Sequence, residues 1–333
     1  MEIRDCVLKI LRESPEAVSG ETMAQRLGIS RSGVWKAVRK LREEGYGIEA
    51  ATNKGYRLTS ESGVFSPENI RRLLASDMEG IEIDLREEVS STNTVLKELA
   101  EQGRQEGLVL IAENQVRGKG RLGRSFYSPR GSGLYMSILL RPELPPEDSL
   151  AITTTAAVAV AEAVSAVTGR QAMIKWVNDV YLSGRKICGI LTEAAIDFES
   201  RRLDYAVLGI GVNILEPPGG FPPEIAEVAG ALYKEEAPAQ TRTRLAAEIL
   251  NRFFAFYRAL PEHSYMGAYK KLSLLTGREI TFQQGRETWE GTVLGIDDEA
   301  RLVVRLDSGE ERAFGAGEVS IVKKGLLEQI RGT

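Results

Sequence analysis

Residues 115–129 read QVRGKGRLGRSFYSP, a stretch in which cations alternate with glycines. Glycine lets backbone N–H groups approach an anion closely, and Lys119, Arg121 and Arg124 supply charge to neutralise it. Such a segment can hold phosphates or can be a solvated basic loop. It is not the phosphate loop G-x-x-x-x-G-K-[ST], whose spacing occurs nowhere in the chain. Gly118-Lys119-Gly120-Arg121-Leu122-Gly123 does match G-x-G-x-x-G, but a dinucleotide loop opens a helix, and Ser125-Phe126-Tyr127-Ser128-Pro129 does not continue helically. KWVND adds a second cation: Lys175 ends an apolar strand beside Trp176, which would aim an ammonium into a partly dry site. Lys186 follows the next hairpin in the same apolar neighbourhood. A structural ion pair is the alternative reading for either lysine.

The elements around these residues alternate between strands and helices. EEVSSTNTVLKELAEQG runs from a strand end at Val89 into a helix capped by Ser91 or Thr92, with Val95, Leu96, Leu99 and Ala100 inward. GLVLIAENQ is a buried strand leading into the basic loop, GLYMSILLR is another, and SLAITTTAAVAVAEAVSAVTG is a nearly all-apolar helix that must lie across a sheet. QAMIKWVNDVYLSGRKICGILTEAAID gives a strand, a turn at Asn178-Asp179, a hairpin at Ser183-Gly184 and a further strand, and RLDYAVLGIGVNIL adds one more. The expectation is a mixed or largely antiparallel sheet with helices on one side.

Composition narrows the chemistry. The chain has 333 residues, 43% hydrophobic and 27% charged, which is ordinary for a globular protein of about two or three domains. No run reaches the roughly 18 apolar residues of a membrane span, and MEIRDCVLKILRESP lacks the pattern of a secretory leader, so a cytoplasmic protein without membrane contact is expected. Cys6 and Cys188 are far apart and too few for a structural zinc site, and Cys188 in KICGIL reads as a buried hydrophobe. His263 is the single histidine and no G-x-S-x-G elbow exists, so imidazole chemistry is not expected. The net charge is −4, yet residues 31–60 hold seven Lys/Arg against three Asp/Glu, and residues 113–130 hold five against one. Two local basic clusters suggest two anionic partners.

The first cluster belongs to the N-terminal sixty residues. IRDCVLKILRESP places Ile3, Val7, Ile10 and Leu11 at helical spacing. SGETMAQRLGIS gives a second helix with Met23, Ala24 and Leu27 inward, stopped at Gly28. A third helix, capped by Ser30, carries Val34, Val38 and Leu41 on one stripe and Arg31, Ser32, Trp35, Lys36, Arg39 and Lys40 on the other. YGIEAATNKGYRL then reads as two strands around Thr52-Asn53-Lys54-Gly55. Three short helices and a hairpin describe a winged helix-turn-helix, whose third helix enters the major groove while the wing touches backbone. Arg31, Ser32, Trp35, Lys36 and Arg39, with Lys54 on the wing, are the expected DNA contacts. The polar stretch TSESGVFSPENI places a boundary near residue 63, giving domains 1–62, 63–270 and 271–333. The last is a run of short alternating strands with turns at Gln284-Gly285, Asp297-Asp298 and Ser308-Gly309, read as a small β-barrel.

Taken in order, SSTN, AENQVRGKGRLGRSFYSP, GLYMSILLRP, KWVNDVYLSGRKICGILTE and GIGVNI resemble the catalytic region of biotin–protein ligases. The winged helix in front is similar to that of their bifunctional form, which also represses the biotin operon. The resemblance covers nearly the whole chain. Two positions depart from it: the loop has Lys119 where the family often has arginine, and the turn reads K-W-V-N-D where the family usually has K-W-P-N-D.

The resemblance implies an α+β multidomain protein. Its centre would be a mixed sheet with helices, related to class II synthetases, and its C-terminal barrel would be SH3-like. It implies an enzyme that uses ATP and Mg²⁺ to convert biotin to biotinyl-5′-AMP, then passes biotin to a lysine of a carboxylase carrier domain. By position, Ser91, Thr92, Asn93 and Gln115 would bind the biotin ureido ring, and Lys119, Gly120 and Arg121 biotin and phosphate. Lys175 would touch the activated carboxyl and, with Arg121, carry the catalytic charge; Arg124, Trp176, Asn178, Lys186 and Asn213 would surround the nucleotide. The metal ligands are not legible. The adenylate would act as corepressor, promoting a homodimer that sets two winged helices on operator DNA. A lipoate or octanoate ligase, or a ligand sensor without catalysis, are the alternatives.

Overall fold

The computed structural model describes residues 3–51, 54–60, 64–197, 199–284, 286–316 and 319–321. They fall into two compact units: Met1–Leu73 with Pro238–Arg244, and Leu74–Ala237 with Leu245–Thr333. The expected cut near residue 63, and the turn residues Thr52, Asn53 and Gly285, lie outside the described residues.

In the first unit α1 (Ile3–Glu13), α2 (Gly20–Leu27) and α3 (Arg31–Glu43) precede the hairpin β1 (Gly47–Ala51) and β2 (Gly55–Ser60), and α4 (Pro67–Arg71) follows. The Ser30 cap and the Gly28 stop are those expected from sequence: Ser30 accepts from Gly33 N and Gly28 ends α2 in the left-handed region, while Ser19, accepting from Thr22 N, caps α2 as well. Val7, Met23, Val34 and Leu41 are fully buried in the core of this unit. Ile3 departs from its expected inward place at 49% exposure, and Leu8 is buried in its stead. A one-residue third strand completes the wing, because Val18 and Tyr56 exchange both backbone hydrogen bonds at 2.8 Å. Gly55 is required there: its φ is +103°, and a Cβ would sit 2.0 Å from the Val18 carbonyl oxygen.

The second unit begins with β3 (Glu82–Val89), α5 (Thr92–Glu101), β4 (Leu108–Gln115), β5 (Gly133–Leu140), α6 (Ser149–Thr168) and β6 (Met173–Lys175). It continues with β7 (Asp179–Leu182), β8 (Arg185–Asp197), β9 (Arg202–Asn213), α7 (Pro223–Ala226), α8 (Thr241–Arg258, whose first residues belong to the other unit) and α9 (Met266–Lys271). The seven strands pair in the order β3-β4-β5-β9-β8-β7-β6, parallel between β3 and β4 and antiparallel elsewhere.

The helices do not share one side of this sheet. Neighbouring residues of a strand point to opposite faces. Glu193 of β8 meets Asn93 and Lys97 of α5, whereas Thr192 meets Thr153 of α6. The sheet is therefore sandwiched, α5 on one face and α6 on the other. Periodicity identified both helices as amphipathic or buried but could not say which face each would take. Helix α6 is apolar enough by composition to cross a bilayer, with mean hydropathy 1.7 over its best window, but 67% of that window is buried inside the fold. Its far side meets α8 and α9, through Glu162–Arg252 and a hydrogen bond between Thr154 and Tyr265.

The chain ends in β10 (Glu279–Gln284), β11 (Glu287–Ile296), β12 (Leu302–Leu306), β13 (Glu311–Phe314) and β14 (Val319–Ile321), an antiparallel sheet in the order β13-β12-β11-β10-β14. Among the described residues β13 and β14 are its two edges, and the pairing shows an antiparallel sheet without confirming the SH3-like barrel expected from sequence.

Candidate active site

One cavity of about 720 Å³ lies against the α5 face of the large sheet. It is lined by all thirteen residues singled out for substrate or nucleotide: Ser91, Thr92, Asn93, Gln115, Lys119, Gly120, Arg121, Arg124, Lys175, Trp176, Asn178, Lys186 and Asn213. They come from five separate stretches of chain, gathered by β8 and β9.

Those two strands form a floor from which side chains have been removed. A Cβ on Gly209 would lie 2.2 Å from Asn93 Oδ1, and one on Gly211 would lie 2.5 Å from the Phe126 ring. Across the ladder Gly189 pairs with Gly211, and its Cβ would press on Phe126 and on Lys186 Cε. Glycine inside a strand marks the close approach of another group, and here three do so in adjacent positions. The alternation in GIGVN carried this signal in the sequence.

The floor sets an axis. Gly209 lies under Asn93, Gly211 under Phe126, and Asn213 at the far end donates to the Gly230 carbonyl at 2.9 Å. At about 3.4 Å per residue the run from 209 to 213 spans about 14 Å.

The 209 end is neutral and polar. Ser91 occupies the N-cap position of α5 but makes no capping bond through its side chain, which lines the cavity instead. Gln115 Oε1 accepts from the Thr92 N–H at 2.9 Å and faces its hydroxyl at 3.1 Å, and Gln115 Nε2 donates to Ser128 Oγ. Ser137 of β5, fully buried, lies 2.6 Å from both Thr92 Oγ1 and Asn93 Oδ1. Behind them Glu193 accepts from Asn93 Nδ2 at 2.9 Å and from Lys97, and comes within 4.0 Å of Lys119. Burial opposes its charge, but the Asn93 hydrogen bond and the two lysines outweigh that and hold the carboxyl below the usual glutamate range. Ser137 and Glu193 were not identified from sequence.

The cations of the cavity come from the basic loop, from β6 and from β8. The basic loop is a narrow hairpin: Phe126 N donates to Gly118 O at 2.8 Å and Gly120 N to Arg124 O at 2.7 Å. Gly118 allows this closure, since a Cβ there would meet the Phe126 carbonyl oxygen at 2.4 Å. The tip is a 3₁₀ turn, Arg121–Gly123, with Leu122 at φ 56° and 79% exposed, so the loop does not open an α-helix, as its sequence indicated. Arg121 donates to Asn178 Oδ1 at 3.1 Å and to the Ala316 carbonyl. Asn178 in turn donates to Ile190 O, fixing the turn after β6.

Lys175 is only 7% exposed, and Trp176 beside it donates from Nε1 to Ala300 O. The Trp176–Val177 peptide is cis, and the Val177 carbonyl accepts from Tyr269, a buried phenol whose pKa burial raises well above the usual value. Lys186 pairs with Asp179 at 2.6 Å, so the ion-pair alternative holds for that lysine even as it lines the cavity. Five cations and two carboxylates, Asp179 and Glu224, face the cavity, which suits an anionic ligand.

Cys188 is fully buried and its thiol is pushed up by burial, the inert hydrophobe expected. His263 is exposed and lines no part of the cavity.

In the other unit, Arg31, Ser32, Trp35, Lys36, Arg39 and Lys40 all lie on the exposed face of α3, opposite the buried stripe. Trp35 is 52% exposed, with the Arg39 guanidinium 5.1 Å from its ring centre, and Lys54 is exposed at the hairpin.

Comparison with known proteins agrees with this division. The model of the biotin/lipoate A/B protein ligase family matches residues 85–213, that of an HTH domain residues 4–57, and that of the biotin protein ligase C terminal domain residues 275–322. The chain is 33% identical over 316 residues to the bifunctional ligase/repressor BirA of Bacillus subtilis, covering 94% of this chain and 97% of that protein. Its counterpart in Escherichia coli is 27% identical over 306 residues, 91% and 92% of the two chains. Among solved structures, the biotin protein ligase from Aquifex aeolicus in complex with biotin and ATP superposes with a TM-score of 0.59 at 27% identity, over 72% of this chain and 98% of that one. With an HTH domain, a ligase domain and a ligase C-terminal domain in one continuous match, the chain belongs to the bifunctional ligase/repressor members of the biotin protein ligase family.

Proposed function

We propose that this protein is an ATP-dependent biotin–protein ligase that also represses transcription in response to biotin. The observation that carries the reading is the make-up of the cavity along β9: neutral hydrogen-bonding groups over Gly209 at one end and, from there onward, five cations, with Lys175 level with Gly211 in the strand register. A cyclic urea suits the Thr92–Asn93–Gln115 end. A carboxylate and a triphosphate meeting beside Lys175 and Arg121 suit the cations.

In the first step a carboxylate oxygen of biotin attacks the α-phosphorus of ATP. The bond to pyrophosphate breaks and biotinyl-5′-AMP forms. Two anions must meet, so Lys175, Arg121 and Lys119 offset their repulsion and the charge that builds on the phosphoryl oxygens. Burial of Lys175 strengthens this effect by lowering the local dielectric. Mg²⁺ arrives with ATP as part of that substrate. Asp179 is engaged by Lys186, and no cluster of three His, Cys, Asp or Glu side chains occurs among the described residues, which fits an ion held largely by phosphate and water.

In the second step a lysine amine of a carrier domain attacks the acyl carbon. AMP leaves, and the amine loses a proton. No side-chain nucleophile is needed, consistent with the buried Cys188 and remote His263. Trp176, Asn178, Lys186, Asn213 and Arg124 surround the nucleotide in this reading.

The exposed face of α3 provides the DNA contacts, Arg31, Ser32 and Lys36 at its N-terminal part being the groups that reach base edges in this docking mode. The adenylate is the corepressor, a homodimer binds the operator, and the compartment is the cytoplasm.

The test is mass spectrometry of a biotin-carrier domain incubated with the protein, ATP, Mg²⁺ and either biotin or lipoate. A biotin-sized gain on one lysine is expected. A lipoate-sized gain would reassign the acyl group, and no gain with either acid would leave a DNA-binding sensor.

A further inference from the structure

We propose that Tyr269, which lines no part of the cavity, is a positioning residue for adenylate formation: its hydroxyl holds the turn that sets Lys175 on one side and, through Asn178, Arg121 on the other. This rests on the ligase reading of the cavity.

The turn lies beyond the support of the sheet. β6 ends at Lys175 and β7 begins at Asp179, and these two residues form the last rung of the ladder. Residues 176–178 join them. A buried carbonyl in such a place needs a partner. Val177 is buried, and its carbonyl oxygen accepts from the Tyr269 hydroxyl at 2.9 Å. A carbonyl oxygen can only accept, so the direction of this bond is fixed. Tyr269 is itself fully buried, and burial raises its pKa well above the usual tyrosine value, so the hydroxyl keeps its proton at neutral pH.

The tyrosine is braced from behind. Tyr265 and Tyr269 are four positions apart and share a helical face, and Tyr265 accepts from Thr154 of α6 at 3.1 Å. After α9 the chain runs beside β6: Ile174 N donates to Leu272 O at 2.7 Å, and Leu274 N to Ile174 O at 2.8 Å. One short segment, 269–274, therefore holds residue 174 through its backbone and residue 177 through a side chain. Lys175 lies between the two attachments.

The peptide that carries the Val177 carbonyl is the one that leads into Asn178. Asn178 Nδ2 donates to Ile190 O at 2.7 Å, and its Oδ1 accepts from Arg121 at 3.1 Å. Fixing the plane of that peptide fixes where Asn178 starts, and so where it holds the arginine. Phenylalanine at 269 would still fill the space of the ring but would leave the carbonyl without this donor. The plane could then turn, and both cations would shift against the phosphate. A displacement of about 1 Å is enough to cost about 10²-fold in rate.

The experiment uses the full-length protein carrying Tyr269→Phe. Single-turnover formation of biotinyl-5′-AMP should slow about 10- to 100-fold. Transfer of biotin from supplied biotinyl-5′-AMP to a carrier domain should keep its wild-type rate, because that step brings no two anions together. Biotin affinity by calorimetry should also hold, since Ser91, Thr92, Asn93 and Gln115 come from α5 and β4 and the residues beside them. The double variant with Asn178→Ala should be slowed by less than the product of the two single factors, because both act through one turn. With 4-aminophenylalanine at position 269, which offers an N–H to the same carbonyl, most of the rate should return.

Wild-type adenylate formation in Tyr269→Phe, fully multiplicative losses in the double variant, or no rescue by 4-aminophenylalanine would overturn the positioning role. So would a lower melting temperature with both chemical steps slowed alike, the mark of a merely structural side chain. Failure of the wild type to form the adenylate would instead sink the ligase reading itself.

Discussion

Gly211→Ala tests the geometry of the cavity floor. Gly211 has no left-handed φ, so the backbone accepts alanine and space alone decides the outcome. The new Cβ would lie 2.5 Å from Phe126 Cε1 and 2.6 Å from Cζ. Carbon atoms rest at about 3.5–4.0 Å, so the ring must retreat by about 1 Å or more. It is not at liberty to do so. Phe126 closes the basic hairpin through its bond to Gly118 O and meets Tyr135 edge-on at 6.3 Å between centroids.

Overpacking of this kind costs about 1–3 kcal/mol. If the hairpin moves, that energy appears as weaker binding, roughly 5- to 150-fold, because Lys119 and Arg121 move with Phe126. If the sheet yields, it appears as a melting temperature lower by a few degrees or more. Biotin-dependent exchange of labelled pyrophosphate into ATP, read together with thermal unfolding, separates the two. Gly295→Ala in the C-terminal sheet is the control, since nothing lies within 4 Å of its Cβ position. A Gly211→Ala protein with wild-type melting and wild-type exchange would mean that the Phe126 ring does not rest on β9.

Three further outcomes are expected. Lys175→Ala should lower the rate of adenylate formation by about 10²–10³ with the fold intact, by single-turnover assay and circular dichroism; a wild-type burst would remove Lys175 from the reaction. Lys36→Ala should weaken operator binding and flatten its salt dependence by about one ion, leaving ligation unchanged, as read by titration at several salt concentrations. Glu193, whose folded pKa is depressed, contributes stability that is full above the ordinary glutamate range and is lost as pH falls through its lower folded value. Glu193→Gln should therefore lower the melting temperature near neutrality and flatten its fall on the acid side; parallel curves for the two proteins would contradict the assignment.

The chemistry of the site was legible where residue type alone conveys it. Cations among glycines, a lysine closing an apolar strand and a polar triplet before a helix all speak through local sequence. Their partners do not. Ser137 sits in β5, where every residue from Gly133 to Leu140 is buried, so no alternation tells which way a side chain points. Glu193 lies 100 positions from Asn93, and only the β8–β9 register together with the packing of α5 brings them within 2.9 Å. The two faces of the sheet were hidden for the same reason: two apolar stripes do not say which side of a sheet either will take. Ile3 followed helical spacing yet lies in the first turn of α1, and Leu8 closes the core in its place.

The burial of α6 has a consequence for synthesis. The helix is complete at Thr168, but much of its cover comes later, from β6 to β9, from Arg252 and from Tyr265. Roughly a hundred residues must still be added, which at about 5–20 residues per second leaves the helix uncovered for some 5–20 s on the ribosome. During that interval a 20-residue apolar helix stands without most of the cover it has in the finished fold. Any stop in the coding frame between 169 and 265 would make that exposure permanent, so shortened products of this gene should be recovered in inclusion bodies or bound to chaperones.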